Sequence, residues 1–177
     1  FLFFVESRLG APGWEGPLLL LFFLSAALSS PGWSVLARRF GAKRVLLAAM
    51  VLAIVTFGWA LTLGTGDVIA FGVICVLSGA TIGADLTLLP AIFARRMARV
   101  APNGGQGFGL WTFMNKVSLA FAAVSLLPLL ERAGFVAGQP ATAAALTLLS
   151  LLYAGAPCAL KLAAIGLLAL TDLEDEA

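Results

Sequence analysis

The sequence predicts an all-α polytopic membrane bundle of about five full transmembrane helices plus the end of another, and three observations predict it. Of the 177 residues, 61% are hydrophobic and only 11% are charged, against roughly 45–50% and about 25% in a soluble domain. The mean hydropathy of +1.03 means more apolar surface than a core of this size can hide, so lipid has to be the outer solvent. The apolar residues also fall in long runs of about 20, the length a helix rising 1.5 Å per residue needs to cross roughly 30 Å of hydrocarbon. These runs are apolar all round, whereas strands of a membrane barrel would alternate polar and apolar residues.

In chain order, residues 1–5 read as the end of an earlier helix. The chain opens in mid-run without the basic start of a signal peptide, and is expected to be part of a longer protein. Full spans are predicted at about 17–37, 45–64, 68–94, 107–130 and 142–171. Between them stand segments of turn chemistry: Gly10-Ala11-Pro12-Gly13, Gly64-Thr65-Gly66-Asp67, Pro102-Asn103-Gly104-Gly105 and 134–140. Gly and Pro there permit tight reversals, so neighbouring spans run antiparallel. Pro31, Pro90, Pro128 and Pro157 fall inside helical runs, and each frees a carbonyl that a neighbour must satisfy. Small residues recur at helix-packing spacing in Gly79-Ala80-Thr81-Ile82-Gly83 and Ser25-Ala26-Ala27-Leu28-Ser29, which predicts close approach of helix backbones.

Arg38, Arg39, Lys43, Arg44, Arg95, Arg96 and Arg99 lie at one end of the spans, and only Arg8 and Arg132 at the other. Basic residues collect in short cytoplasmic loops, so the first end is predicted to be cytoplasmic, together with the acidic tail Asp172-Leu173-Glu174-Asp175-Glu176. The basic clusters are short and sit between apolar runs, which argues against nucleic acid as a partner. Histidine is absent, and Cys75 and Cys158 fall inside apolar runs, so neither a Cys/His metal site nor a disulfide is expected. No nucleophile motif, carboxylate pair or phosphate-binding glycine loop is present, so the sequence does not read as an enzyme.

Three charges lie well inside predicted spans: Asp85, Lys116 and Lys161. Each costs at least about 2.5 kcal/mol at mid-bilayer, so such groups face protein or water. Lys116 is about nine residues from the cytoplasmic end of its span, and Asp85 is about as far from the end of the preceding one. The two opposite charges could therefore meet in a cavity. The alternatives are a Lys116 that snorkels along its stem and an Asp85 held in a plain structural ion pair. Lys161, four residues after Pro157, reads as a snorkelling side chain.

A family resemblance adds to this reading. Phe3-Phe4-Val5-Glu6-Ser7-Arg8-Leu9-Gly10-Ala11-Pro12-Gly13-Trp14, the basic segment Trp33 to Arg44, Gly83-Ala84-Asp85-Leu86 followed by Pro90, Gly109-Leu110-Trp111-Thr112-Phe113-Met114-Asn115-Lys116, and Tyr153-Ala154 with Pro157 resemble successive segments of the glycoside-pentoside-hexuronide:cation symporters. These form the melibiose permease-like branch of the major facilitator superfamily. The resemblance implies the C-terminal six-helix half of a twelve-helix transporter. It implies that Lys116 and Thr112 line the central cavity beside the sugar and the coupling cation; Trp111 and Asp85 are further candidates for the same pathway. The acids that bind the cation, Na+ or H+, belong to the N-terminal half; no other cofactor is implied. Where the family has an Ala-Asp sequence after its tenth helix, this chain has Ala94-Arg95-Arg96.

Residues 1–177 are therefore expected to form the C-terminal half of a cation-coupled symporter for a sugar or related small solute, working by alternating access in a bacterial inner membrane. Its expected partners are the lipid bilayer, the N-terminal half, the solute and the cation. The rival expectation is a membrane protein of the same fold that serves as a scaffold or handles lipid without transporting.

Overall fold

The computed structural model describes residues 1–100, 105–132, 134 and 142–171. The predicted turns at 102–105 and 134–140 lie largely, and the acidic tail wholly, outside the described residues. Every regular element among the described residues is helical. After a π-helical turn at Phe4–Arg8 come α1 (Glu15–Phe40), α2 (Ala42–Ala60), α3 (Val68–Val100), α4 (Gly105–Arg132) and α5 (Ala143–Ser150). A second π-helical turn, Leu151–Gly155, then leads into α6 (Ala156–Leu170). Five stretches are long and apolar enough to cross a bilayer, the fifth running from Ala143 to Leu170.

Two boundaries differ from the sequence reading. α2 stops at Ala60, because the N–H groups of Leu61, Thr62 and Leu63 turn back to the carbonyls of Gly58, Trp59 and Ala60, a tightening common at helix ends. α3 continues to Val100 instead of ending near 94, since Ala94-Arg95-Arg96-Met97-Ala98-Arg99 is made of good helix formers with no breaker. The joint between α1 and α2 is one residue, Gly41, whose φ of 89° is open to glycine at little steric cost.

α1 and α3 run side by side in one direction, and the two small-residue stripes meet there. Ser25 Oγ donates to the Val76 carbonyl (2.6 Å), Ser29 Oγ to that of Ala80 (3.2 Å), and Trp33 Nε1 also to that of Ala80 (2.7 Å). A Cβ at Gly79 would run into the Phe22 carbonyl, and one at Gly83 would sit 2.6 Å from the Ala26 carbonyl oxygen. The glycines thus let the backbones touch, and the serines satisfy their hydroxyls on the neighbour's carbonyls.

α2 returns antiparallel and packs on α3 and α6. At the arginine-bearing end, Lys43 Nζ donates to the carbonyls of Ala169 (3.3 Å) and Thr171 (2.7 Å), placing a cation on the open carbonyls that end α6. At the opposite end, Arg8 Nε donates to the Leu63 carbonyl (3.1 Å), and Gly66 N–H to that of Leu9 (3.0 Å). Apolar packing divides accordingly. Val45, Leu46, Ala49, Met50, Ala84 and Leu88 form a cluster toward the arginine end. Phe4, Leu9, Ala60, Phe71 and Ile74 form another toward the opposite end.

The two π turns face each other in that second cluster, where Phe4 stacks on Tyr153 at 4.5 Å between ring centroids. Pro157 lies at the start of α6, directly after the widened turn, in which Ala156 N–H reaches five residues back to Leu151. The widening moves the Tyr153 carbonyl out of the way of a proline ring that would clash in a regular helix.

Candidate functional site

The intramembrane charges sort differently from the sequence expectation. Asp85 pairs with Lys161 across α3 and α6, not with Lys116. Lys161 therefore does not snorkel: its ammonium is taken up by the Asp85 carboxylate of α3, which compensates its charge directly. The pair is partly buried, with side-chain exposures of 22% for Lys161 and 17% for Asp85. Among the described residues Asp85 Oδ1 is buried without a hydrogen-bond partner, so half of this carboxylate has an unused acceptor.

The register of α1 against α3 sets the depth of the pair. Ser25 meets Val76 and Ser29 meets Ala80, a constant offset of about 51 residues. Asp85 is thus level with Ser34, about one helical turn, roughly 6 Å, inside Arg38. That is shallower than the roughly 13 Å obtained by counting back from residue 94, because α3 overshoots the end of α1.

α4 stands apart from the others. It touches α3 at the arginine end, where Phe93 packs edge-on to Phe108 (5.3 Å) and tilted against Trp111 (4.8 Å), and where Met97 covers Gly107. At the other end Leu130 packs on Ala145 and Leu149 of α5. Between these contacts residues 112–121 are exposed throughout. Trp111, predicted to line the pathway, is turned to Phe93 and holds α4 against α3. Thr112 and Lys116 are both exposed, and one helical turn places them on a single face.

Gly109 and Ala123 fall on that face too, at three residues before Thr112 and seven after Lys116. Leu119, three residues after Lys116, lies on it as well and is exposed, so the hydroxyl and the ammonium are set among small and apolar side chains. No described residue pairs with Lys116. What sequence reasoning missed is Lys161 as the partner of Asp85. The signal was available: Lys161 is, with Lys116, one of two cations well inside a predicted span, and Asp85 there needs a cation.

Among the described residues no group of Cys, Asp and Glu could hold a metal ion. A family model described as MFS/sugar transport protein matches residues 1–175. No curated protein and no solved structure matches the chain.

Proposed function

The chain belongs to the MFS/sugar transport protein family of the major facilitator superfamily, and from this premise we propose that it forms one half of a cation-coupled symporter of the melibiose permease-like kind, carrying a sugar or related small solute. The observation that carries the proposal is the uncovered middle of α4. It presents Thr112 and an unpaired Lys116 on an exposed face that also carries Gly109, Leu119 and Ala123. An ammonium deep in a span needs a carboxylate or water, and none of the described residues supplies the carboxylate. A second six-helix half facing α4 supplies both in this reading. The space between the halves holds the solute, whose hydroxyls meet Thr112 and Lys116, and acids of the other half hold Na+ or H+ near the ammonium. Rocking of the halves then exposes the site to each side in turn.

Asp85 has a different part. Its charge is already compensated by Lys161, so it braces α3 and α6 behind the pathway, and only Oδ1 remains available to a polar group. Trp111 fixes where α4 stands.

The test is solute uptake. Proteoliposomes holding residues 1–177 alone should accumulate no labelled sugar, whereas the chain joined to its N-terminal half should. In that longer protein Lys116→Met should abolish ion-driven uptake at unchanged protein level. Lys116→Arg should restore little, because a planar guanidinium presents its donors in another geometry. Wild-type uptake by Lys116→Met, with unchanged ion dependence, would reduce the lysine to an interfacial anchor and remove the main support for this reading.

A further inference from the structure

We propose that the arginine-bearing end of the bundle is a ledge that binds anionic phospholipid headgroups, built from Arg38 and Arg39 on α1 and Arg95 and Arg96 on α3. The inference rests on the geometry of that end and holds whether or not the chain transports a solute.

All four arginines are exposed, as is Arg44 beside them. The described carboxylates stand elsewhere. Glu6, Glu15, Asp67 and Glu131 belong to the opposite half of the bundle, and Asp85 is taken by Lys161. Like charges gathered on two packed helices repel one another unless anions sit among them; the carboxylates of the tail that follows Thr171 lie outside the described residues, and the level of the arginines points to lipid anions. With the offset of about 51 residues between α1 and α3, Arg38 is level with Leu89. Arg95 and Arg96 then stand about 9–10 Å further out along the axis. The headgroup layer on one side of a bilayer is about 5–8 Å thick, so the two arginine pairs stand at its inner and outer levels, Arg38 on the side of α1 turned away from α3.

The surface just beneath Arg38 is apolar and uncovered. Val35 is 54% exposed and Leu36 41%, and the Arg39 guanidinium lies 5.3 Å from the centroid of the Phe40 ring. Acyl chains fit that surface, whereas a soluble acidic partner would leave it wet. A phosphodiester between the two levels accepts paired N–H groups from arginines in the geometry guanidinium favours. A net-negative headgroup such as phosphatidylglycerol supplies charge that phosphatidylcholine does not.

The experiment uses nitroxide-labelled lipids with the chain reconstituted in phosphatidylcholine bilayers, reading by electron spin resonance the fraction immobilised at the protein. Labelled phosphatidylglycerol should associate at least about five-fold more strongly than labelled phosphatidylcholine at low salt, the factor that one well-placed arginine contributes. The preference should fall toward one in Arg38→Gln/Arg39→Gln/Arg95→Gln/Arg96→Gln and largely survive in the four-lysine counterpart. Should the fourfold neutral variant fail to insert, Arg38→Gln/Arg39→Gln and Arg95→Gln/Arg96→Gln separately should each lose part of the preference. Equal association of the two lipids with the wild-type chain, or an undiminished preference in the neutral variants, overturns the ledge. Displacement of the lipid by inorganic phosphate at matched ionic strength would make this a soluble-anion site and also overturn it. So would neutral variants that are destabilised with their lipid preference unchanged, which would mark a protein contact.

Discussion

Asp85 and Lys161 show what a charge needs in order to stay in a span. Alone, either would have to reach water or neutralise. Together they cancel at long range, and the remaining cost is the unfilled acceptor Oδ1. Removing one partner leaves the other uncompensated, while removing both leaves nothing to desolvate. Asp85→Asn and Lys161→Met should therefore each lower the unfolding free energy in mixed micelles by about 1–3 kcal/mol, between the ranges for exposed and for buried pairs because both side chains are partly exposed. The double variant should recover most of that loss. Strictly additive losses in an SDS titration would show that the two residues do not act as a pair. The sequence located both charges inside apolar runs. Their mutual orientation was hidden, because a π turn at Leu151–Gly155 resets the rotation of everything after it, and hydrophobic periodicity is blind to one extra residue in a turn.

At the scale of the helix, the contact between α1 and α3 depends on having almost nothing at two positions. Both small-residue stripes were legible in the sequence, since Gly-x-x-x-Gly and Ser-x-x-x-Ser each put small residues on one face. That they pack on each other rather than on other spans was not, because a stripe says how near a neighbour can come and not which neighbour it is. Gly83→Ala places a methyl group 2.6 Å from the Ala26 carbonyl oxygen, so the helices must part. The expected cost is about 1–3 kcal/mol, with loss of the Ser29 and Trp33 hydrogen bonds to Ala80 as an added penalty. Gly58→Ala in α2, where a Cβ meets nothing within 4 Å, is the matched control and should be neutral or up to about 1 kcal/mol stabilising. Equal effects at the two sites in a denaturation series would mean that helix propensity, not close approach, governs both. The end of α3 carries the complementary lesson. Arginines were read as the start of a loop because they are polar, yet polarity ends a membrane span without ending a helix.

For the molecule as a whole, burial is uneven in a way that separates the spans into two kinds. α2 and α3 carry most of the buried residues, while α1 and α4 leave long apolar faces open, with Leu20, Leu28, Leu119 and Phe121 more than two-thirds exposed or nearly so. Lipid or a second half must cover those faces. The number of spans followed from composition, because five runs of apolar residues admit few other solutions. Their packing order did not, since a run that is apolar all round has no face to declare. Orientation in the membrane belongs to this scale as well, and it is set by charge. The end that carries Arg38, Arg39, Lys43, Arg44, Arg95, Arg96 and Arg99 is matched only by Arg8 and Arg132 at the other, and moving that many cationic side chains across a bilayer against the membrane potential is strongly disfavoured. The arginine end should accordingly be cytoplasmic. With Cys75 and Cys158 replaced by alanine, Gly66→Cys in the turn before α3 should react with an impermeant thiol reagent added to intact cells. Ala98→Cys, exposed on the last turns of α3, should react only after the cells are opened. Labelling of Ala98→Cys from outside, with Gly66→Cys protected, would invert the bundle and turn the arginine ledge toward the outer leaflet.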